Sequence, residues 1–151
     1  MRFIILLLIS LGTVNAKLSV PNIFGDNMVI QRDSPIHVWG EASPEKNVRV
    51  ILGNRDLTVK SDINGKWSLN LDALQGSNQS KSMSISSEGE TIEFDNIMIG
   101  DVWILGGQSN MEDALESIYH GDTEVISANF PSIRLITIPQ KAENEPQEDI
   151  E

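Results

Sequence analysis

From Leu18 to about Ile99, apolar and polar residues alternate in short runs separated by turn residues, and this period of two predicts an all-β region. Ile36, Val38 and Gly40 fall on one face while His37 and Trp39 fall on the other, and Pro44 ends the run. Val48, Val50 and Leu52 lead into Gly53-Asn54, after which Leu57 and Val59 resume the alternation. Asn64-Gly65 is a hairpin signal, since both residues tolerate the positive φ of a tight primed turn, and Trp67, Leu69 and Leu71 alternate after it. Met83 and Ile85, a Glu88-Gly89 turn, then Ile92 and Phe94 make another pair, whereas the polar stretch from Gly76 to Ser82 reads as a loop. Turns at this spacing are those of a sandwich or small barrel, and the expectation for residues 17–99 is a β-sandwich.

After Gly100 the period changes. Val102-Trp103-Ile104-Leu105 is a continuous apolar run, as expected of a strand buried on both faces. Met111, Ala114, Leu115, Ile118 and Tyr119 then recur at helical spacing. A second short helix is expected from about Asp122 to Ala128, Pro131 breaks it, and Ile133 to Ile138 reads as another strand. Strand, helix and strand in this order predict that residues 100–151 begin an α/β domain with a parallel sheet. The tail from Glu143 to Glu151 is acidic and without apolar period, so it reads as a loop or disordered end.

The first sixteen residues fit neither pattern. Arg2 supplies a positive charge, Phe3 to Ile9 is unbroken apolar sequence, and Val14-Asn15-Ala16 has the small-residue form of a cleavage site. This predicts a secretory signal peptide over 1–16, too short for a spanning helix, and hence an exported protein, periplasmic or extracellular, with no membrane attachment after cleavage.

Composition narrows the chemistry. The chain has no cysteine, which removes disulfides, thiolate metal sites and a cysteine nucleophile, so reactive groups must be oxygen or nitrogen. A formal charge of −11 repels phosphate backbones and argues against a nucleic-acid partner.

Ser109 is the position where two readings compete. Ser109-Asn110-Met111-Glu112 has the form of a capping box before an apolar periodic helix, in which the serine hydroxyl would accept a backbone N–H and Glu112 would reach back. Yet a serine after a buried strand and the double glycine Gly106-Gly107, at a helix entry, is also where hydrolases hold a nucleophile beside backbone N–H groups that can receive an oxyanion. His37 and His120 are the only histidines; His37 reads as a surface or packing residue, and His120 as a residue at the negative end of the predicted helix. Ser43-Pro44-Glu45-Lys46 has a Ser-x-x-Lys form but lies in a turn, Asn78-Gln79-Ser80 has the form of a glycosylation acceptor, and the tail acids lack calcium-loop spacing.

Gly107-Gln108-Ser109-Asn110-Met111-Glu112, preceded by Gly100-Asp101-Val102-Trp103, resembles the first catalytic block of the sialate O-acetylesterase family, a branch of the SGNH (GDSL-like) hydrolases. Pro21 to Arg32, Ile36-His37-Val38-Trp39-Gly40 and Asn129 to Leu135 resemble further stretches of that family in the same order. Gly106 stands where many relatives carry cysteine or another small residue, and Asp113-Ala114 where a more apolar pair is usual. The resemblance implies an SGNH-type three-layer α/β hydrolase domain beginning near Gly100. It also implies Ser109 as nucleophile and backbone oxyanion donor, Gln108 and Asn110 as substrate-orienting neighbours, an O-acetylated sugar such as sialic acid as substrate, and a mechanism without metal or cofactor. The family's base, a histidine in an Asp-x-x-His block, and its other oxyanion donors find no match in this sequence, so the expectation is an amino-terminal portion inactive by itself. The competing expectation is a non-catalytic carbohydrate-binding or spacer module, with Trp39 and Trp67 available for sugar stacking.

Overall fold

A computed structural model describes residues 17–107, 111, 113–139, 145, 147, 149 and 150; the proposed signal peptide lies outside them. Seven strands carry the fold: β1 (Val29–Gln31), β2 (Ile36–Glu41), β3 (Asn47–Leu52), β4 (Arg55–Lys60), β5 (Lys66–Leu71), β6 (Ser77–Ser87) and β7 (Glu90–Gly100). Five form a mixed sheet in the order β1-β7-β6-β3-β4, and β2 pairs with β5 in a two-stranded sheet. β1 lies parallel to β7, while the other pairings are antiparallel.

Alternation decides which face is buried. Ile36 and Val38 of β2, Val48, Val50 and Leu52 of β3, Trp67, Leu69 and Leu71 of β5, and Met83 and Ile85 of β6 all point into one core, joined by Ile97 and Ile99 of β7. His37 is exposed and Trp39 half-buried on the opposite face of β2, as the pattern predicts. The Gly53-Asn54 hairpin joins β3 to β4, with Leu52 opposite Arg55. Glu88 and Gly89, at φ 48° and 88°, make the primed turn between β6 and β7.

The Asn64-Gly65 turn behaves differently from the hairpin it predicts. Asp62 Oδ1 accepts the backbone N–H groups of Asn64 and Lys66, each at 2.8 Å, and Gly65 takes φ 86°. A β-carbon at Gly65 would collide with the Ala42 carbonyl, whose own N–H donates to the Gly65 carbonyl at 2.9 Å. The turn therefore ties β5 to the end of β2, and the chain changes sheets there instead of pairing β5 with β4. Because β4 and β5 still touch, the two sheets curl into a half-barrel around the shared core.

The strand pairing corrects the expected architecture, a sandwich followed by the start of a parallel α/β domain. The strands form one curled mixed sheet and a two-stranded partner. Residues 77–82, read as loop, extend β6, with register shifts on either side of Lys81. Beyond Gly100 no strand forms among the described residues: Val102 to Leu105 is irregular, with Trp103 and Ile104 80% and 95% exposed, and Ile133 to Ile138 is irregular as well. A strand needs a neighbour to take its backbone hydrogen bonds, and the described residues place none beside either run. Among the described residues of the helix expected from Met111 to Tyr119, only 3-10 structure forms, at Met111 and over Leu115–Ser117, while the second becomes α1 (Gly121–Ser127), one residue earlier than expected at each end.

Candidate functional site

Ser109, its neighbours Gln108 and Asn110, and the capping-box Glu112 lie outside the described residues; the structure describes the chain that leads to them and away. On the approach, β1 lies parallel to β7 with Gln31 opposite Gly100, and the Arg32 N–H donates to the Gly100 carbonyl at 2.9 Å. Arg32 Nε donates to Asp101 Oδ1 at 2.9 Å, and the Val102 N–H donates to Gln31 Oε1 at 2.9 Å. The hydrogen bond to Asp101, and then the charges of Asp101 and Asp33, hold the Arg32 guanidinium still more firmly protonated than usual. Gly107 packs so closely on the Met111 side chain that a β-carbon there would collide with it.

The departing chain returns to the same place. β7 carries an extra residue between Phe94 and Ile97, where Asn96 adopts φ 56° and has no partner in the β6–β7 register. Arg134 donates from Nη1 to that carbonyl and to the Met28 carbonyl, the latter at 3.2 Å, and from Nη2 to Asn96 Oδ1 at 3.1 Å. The bulge is itself held by the 26–28 stretch. Asp26 Oδ1 accepts the Asp95 N–H at 2.7 Å, Asn27 donates its N–H to the Asp95 carbonyl at 3.0 Å, and Asn27 Oδ1 accepts Asn96 Nδ2 at 2.7 Å. Arg32 and Arg134 entered the sequence reading only as letters of a resemblance. Their partners are remote in sequence, and the one local signal was an asparagine, which tolerates left-handed backbone.

The other candidates separate. His37 stacks on Trp39 at 4.9 Å and 17°, and Phe24 meets the same indole edge-on at 4.9 Å. This aromatic pair lines an open groove of about 600 Å³ with Pro21, Glu41, Lys66 and Ser68. Trp67 is 4% exposed and belongs to the core, which removes it as a stacking platform. His120 sits ahead of α1 in left-handed conformation, its carbonyl accepting the Thr123 and Glu124 N–H groups, so it caps the start of a helix where the sequence placed it at an end. Ser43 is buried between β2 and β3, where its carbonyl accepts the Ser61 hydroxyl at 2.6 Å, a structural use. Among the described residues no cluster of three His, Asp or Glu side chains could hold a metal, and no helix is long and apolar enough to cross a membrane.

Comparison with known proteins supplies what the described geometry leaves open. No protein-family model matches the chain. It is 25% identical over 134 residues to mouse sialate O-acetylesterase, covering 82% of this chain, and 25% identical over 132 residues to the human protein of the same name, covering 80%. Its structure superposes on a carbohydrate acetylesterase from Xanthomonas citri with a TM-score of 0.84 and 31% identity over 88% of this chain. These matches align the chain with the sialate O-acetylesterases. It spans about 25% of the length of those curated relatives and 30% of the Xanthomonas citri chain.

Proposed function

We propose that this chain is part of an exported carbohydrate esterase that removes O-acetyl groups from sugars, sialic acid among them, with Ser109 as nucleophile. The observation that carries this reading is the superposition on a carbohydrate acetylesterase at 31% identity over 88% of the chain. The Gly107 to Glu112 block adds to it, and the apolar leader at 1–16 supports export. In this mechanism the Ser109 oxygen attacks the acetyl carbonyl carbon and gives its proton to a base. The tetrahedral oxyanion is received by N–H groups that include that of Ser109 itself, with Gln108 and Asn110 orienting the sugar. The carbon–oxygen bond to the sugar then breaks, the sugar oxygen takes the proton, and water clears the acetyl group as acetate. Neither histidine of this chain matches the family's base motif, so the base and further oxyanion donors come from polypeptide outside this sequence.

The test is acetate release from O-acetylated sialic acid by the protein bearing this chain. Ser109→Ala is expected to lower turnover by at least about a thousandfold with the β-core intact. Unchanged turnover in that variant would overturn the assignment.

A second reading, a non-catalytic saccharide-binding face, is favoured by the half-buried Trp39 with His37 stacked on it beside polar Glu41 and Ser68. It predicts glycan-array binding that survives Ser109→Ala and disappears in Trp39→Ala. Binding that is absent, or indifferent to Trp39, excludes it.

A further inference from the structure

Both ends of the stretch that carries Ser109 are fastened to one short strip of the β-region. Seven residues before Ser109, the Val102 N–H is held by Gln31, and next to it Asp101 is held by Arg32. Twenty-five residues after Ser109, Arg134 is held by the Met28 carbonyl and by the carbonyl and side chain of Asn96. Met28, Gln31 and Arg32 belong to β1 and its flanks, and Asn96 lies on β7 beside it, so two contacts made 32 residues apart in the chain converge on the β1–β7 edge. The bulge gives the convergence its purpose. Asn96 has no partner in the β6–β7 register, and its carbonyl meets the Arg134 guanidinium. A planar guanidinium reaching three acceptors at once fixes orientation as well as distance, which a single lysine ammonium on a flexible stem does not.

We propose that the β1–β7 edge is a positioning platform for the Ser109 stretch, with Arg32 and Arg134 as positioning residues that fix its entry and its return. The proposal rests on the reading of Ser109 as nucleophile. In this proposal the two arginines act through the chain. Each acts by limiting where the intervening chain can place the serine, and misplacement by about 1 Å costs on the order of a hundredfold in rate.

The test uses the whole protein and three single variants, Arg32→Ala, Arg134→Ala and Arg134→Lys, with Arg55→Ala as a control, since Arg55 hydrogen-bonds to Asn54 and to the Asp72 and Ala73 carbonyls, away from the β1–β7 edge. Two quantities are read: backbone hydrogen exchange in residues 101–139 against that in the β3, β6 and β7 core, and kcat and KM for acetate release. The expected result for Arg32→Ala and Arg134→Ala is faster exchange confined to 101–139, core exchange unchanged, kcat lower by about ten- to a hundredfold and KM within about twofold. Arg134→Lys should resemble Arg134→Ala, because charge without the fork does not restore three contacts, and Arg55→Ala should change neither quantity. Unchanged exchange in both alanine variants overturns the platform whatever the activity. Faster exchange with unchanged kcat, or a rise in KM alone, overturns the positioning role. If the wild-type protein releases no acetate, the esterase reading fails and the positioning role with it, while the exchange data still report whether the two fastenings exist.

Discussion

Single residues show how far polar chemistry in this fold serves structure. Ser61 donates its hydroxyl to the Ser43 carbonyl at 2.6 Å and accepts the Lys46 N–H at 3.0 Å, and Ser87 donates to the Asn47 carbonyl at 2.9 Å. These serines secure the loops on either side of β3 and have no hydroxyl to spare for chemistry. Glu88, in the primed turn, meets Lys46 Nζ at 2.9 Å. The hydrogen bond from Lys46, then one from Ser43, holds its carboxyl below the usual range. A carboxyl depressed in the folded state contributes stability that is fully present above its unfolded pKa, about 4.3, and is lost as pH falls through the lower folded value. Glu88→Gln should therefore lower the melting temperature at neutral pH by a small amount, as exposed pairs do, and the gap should close as the pH falls below about 4. A gap that persists unchanged in acid would show that Lys46 and Glu88 are not coupled. At this scale the sequence was least informative. Nothing local distinguished Arg134 from any other arginine, because its acceptors are a bulged carbonyl at Asn96 and the carbonyl of Met28.

At the scale of elements, legibility depended on where the hydrogen-bonding partners lie. β3 with β4 and β6 with β7 are sequence neighbours, so alternation and turn residues were enough to find them. The β5 alternation was also legible, but its partner is β2, and Asn64-Gly65 turned out to carry the chain between sheets. The polar letters from Ser77 to Ser82 hid a strand because this part of β6 is mostly exposed, leaving no buried face to write an apolar period. Val102 to Leu105 failed in the opposite sense. Its apolar run was plain, but apolarity alone does not make a strand, and the Val102 N–H goes to the Gln31 side chain and not to a ladder. The bulge at Asn96 was invisible for a related reason: a single extra residue leaves the two flanking stretches of β7 correctly patterned.

For the whole molecule, the division is between a β-region that buries its own core and a following stretch that exposes its apolar side chains. Val48, Val50, Leu52, Met83, Ile85 and Ile97 are fully buried, while Trp103, Leu105, Ile126 and Leu135 are largely exposed. The resemblance read from the 107–112 block pointed to sialate O-acetylesterases, and the superposition on a carbohydrate acetylesterase at a TM-score of 0.84 agrees with it, although the α/β architecture that came with the resemblance does not appear among the described residues. The proposed chemistry rests on Ser109, and the proposed platform on the β1–β7 edge that approaches it. The direct measurement is covalent labelling of the whole protein with a fluorophosphonate, which phosphonylates an activated serine oxygen, followed by mass mapping of the adduct. The account predicts one stoichiometric adduct, on Ser109, with parallel loss of acetate release. Labelling at a different residue, or inactivation with Ser109 unmodified, would contradict it.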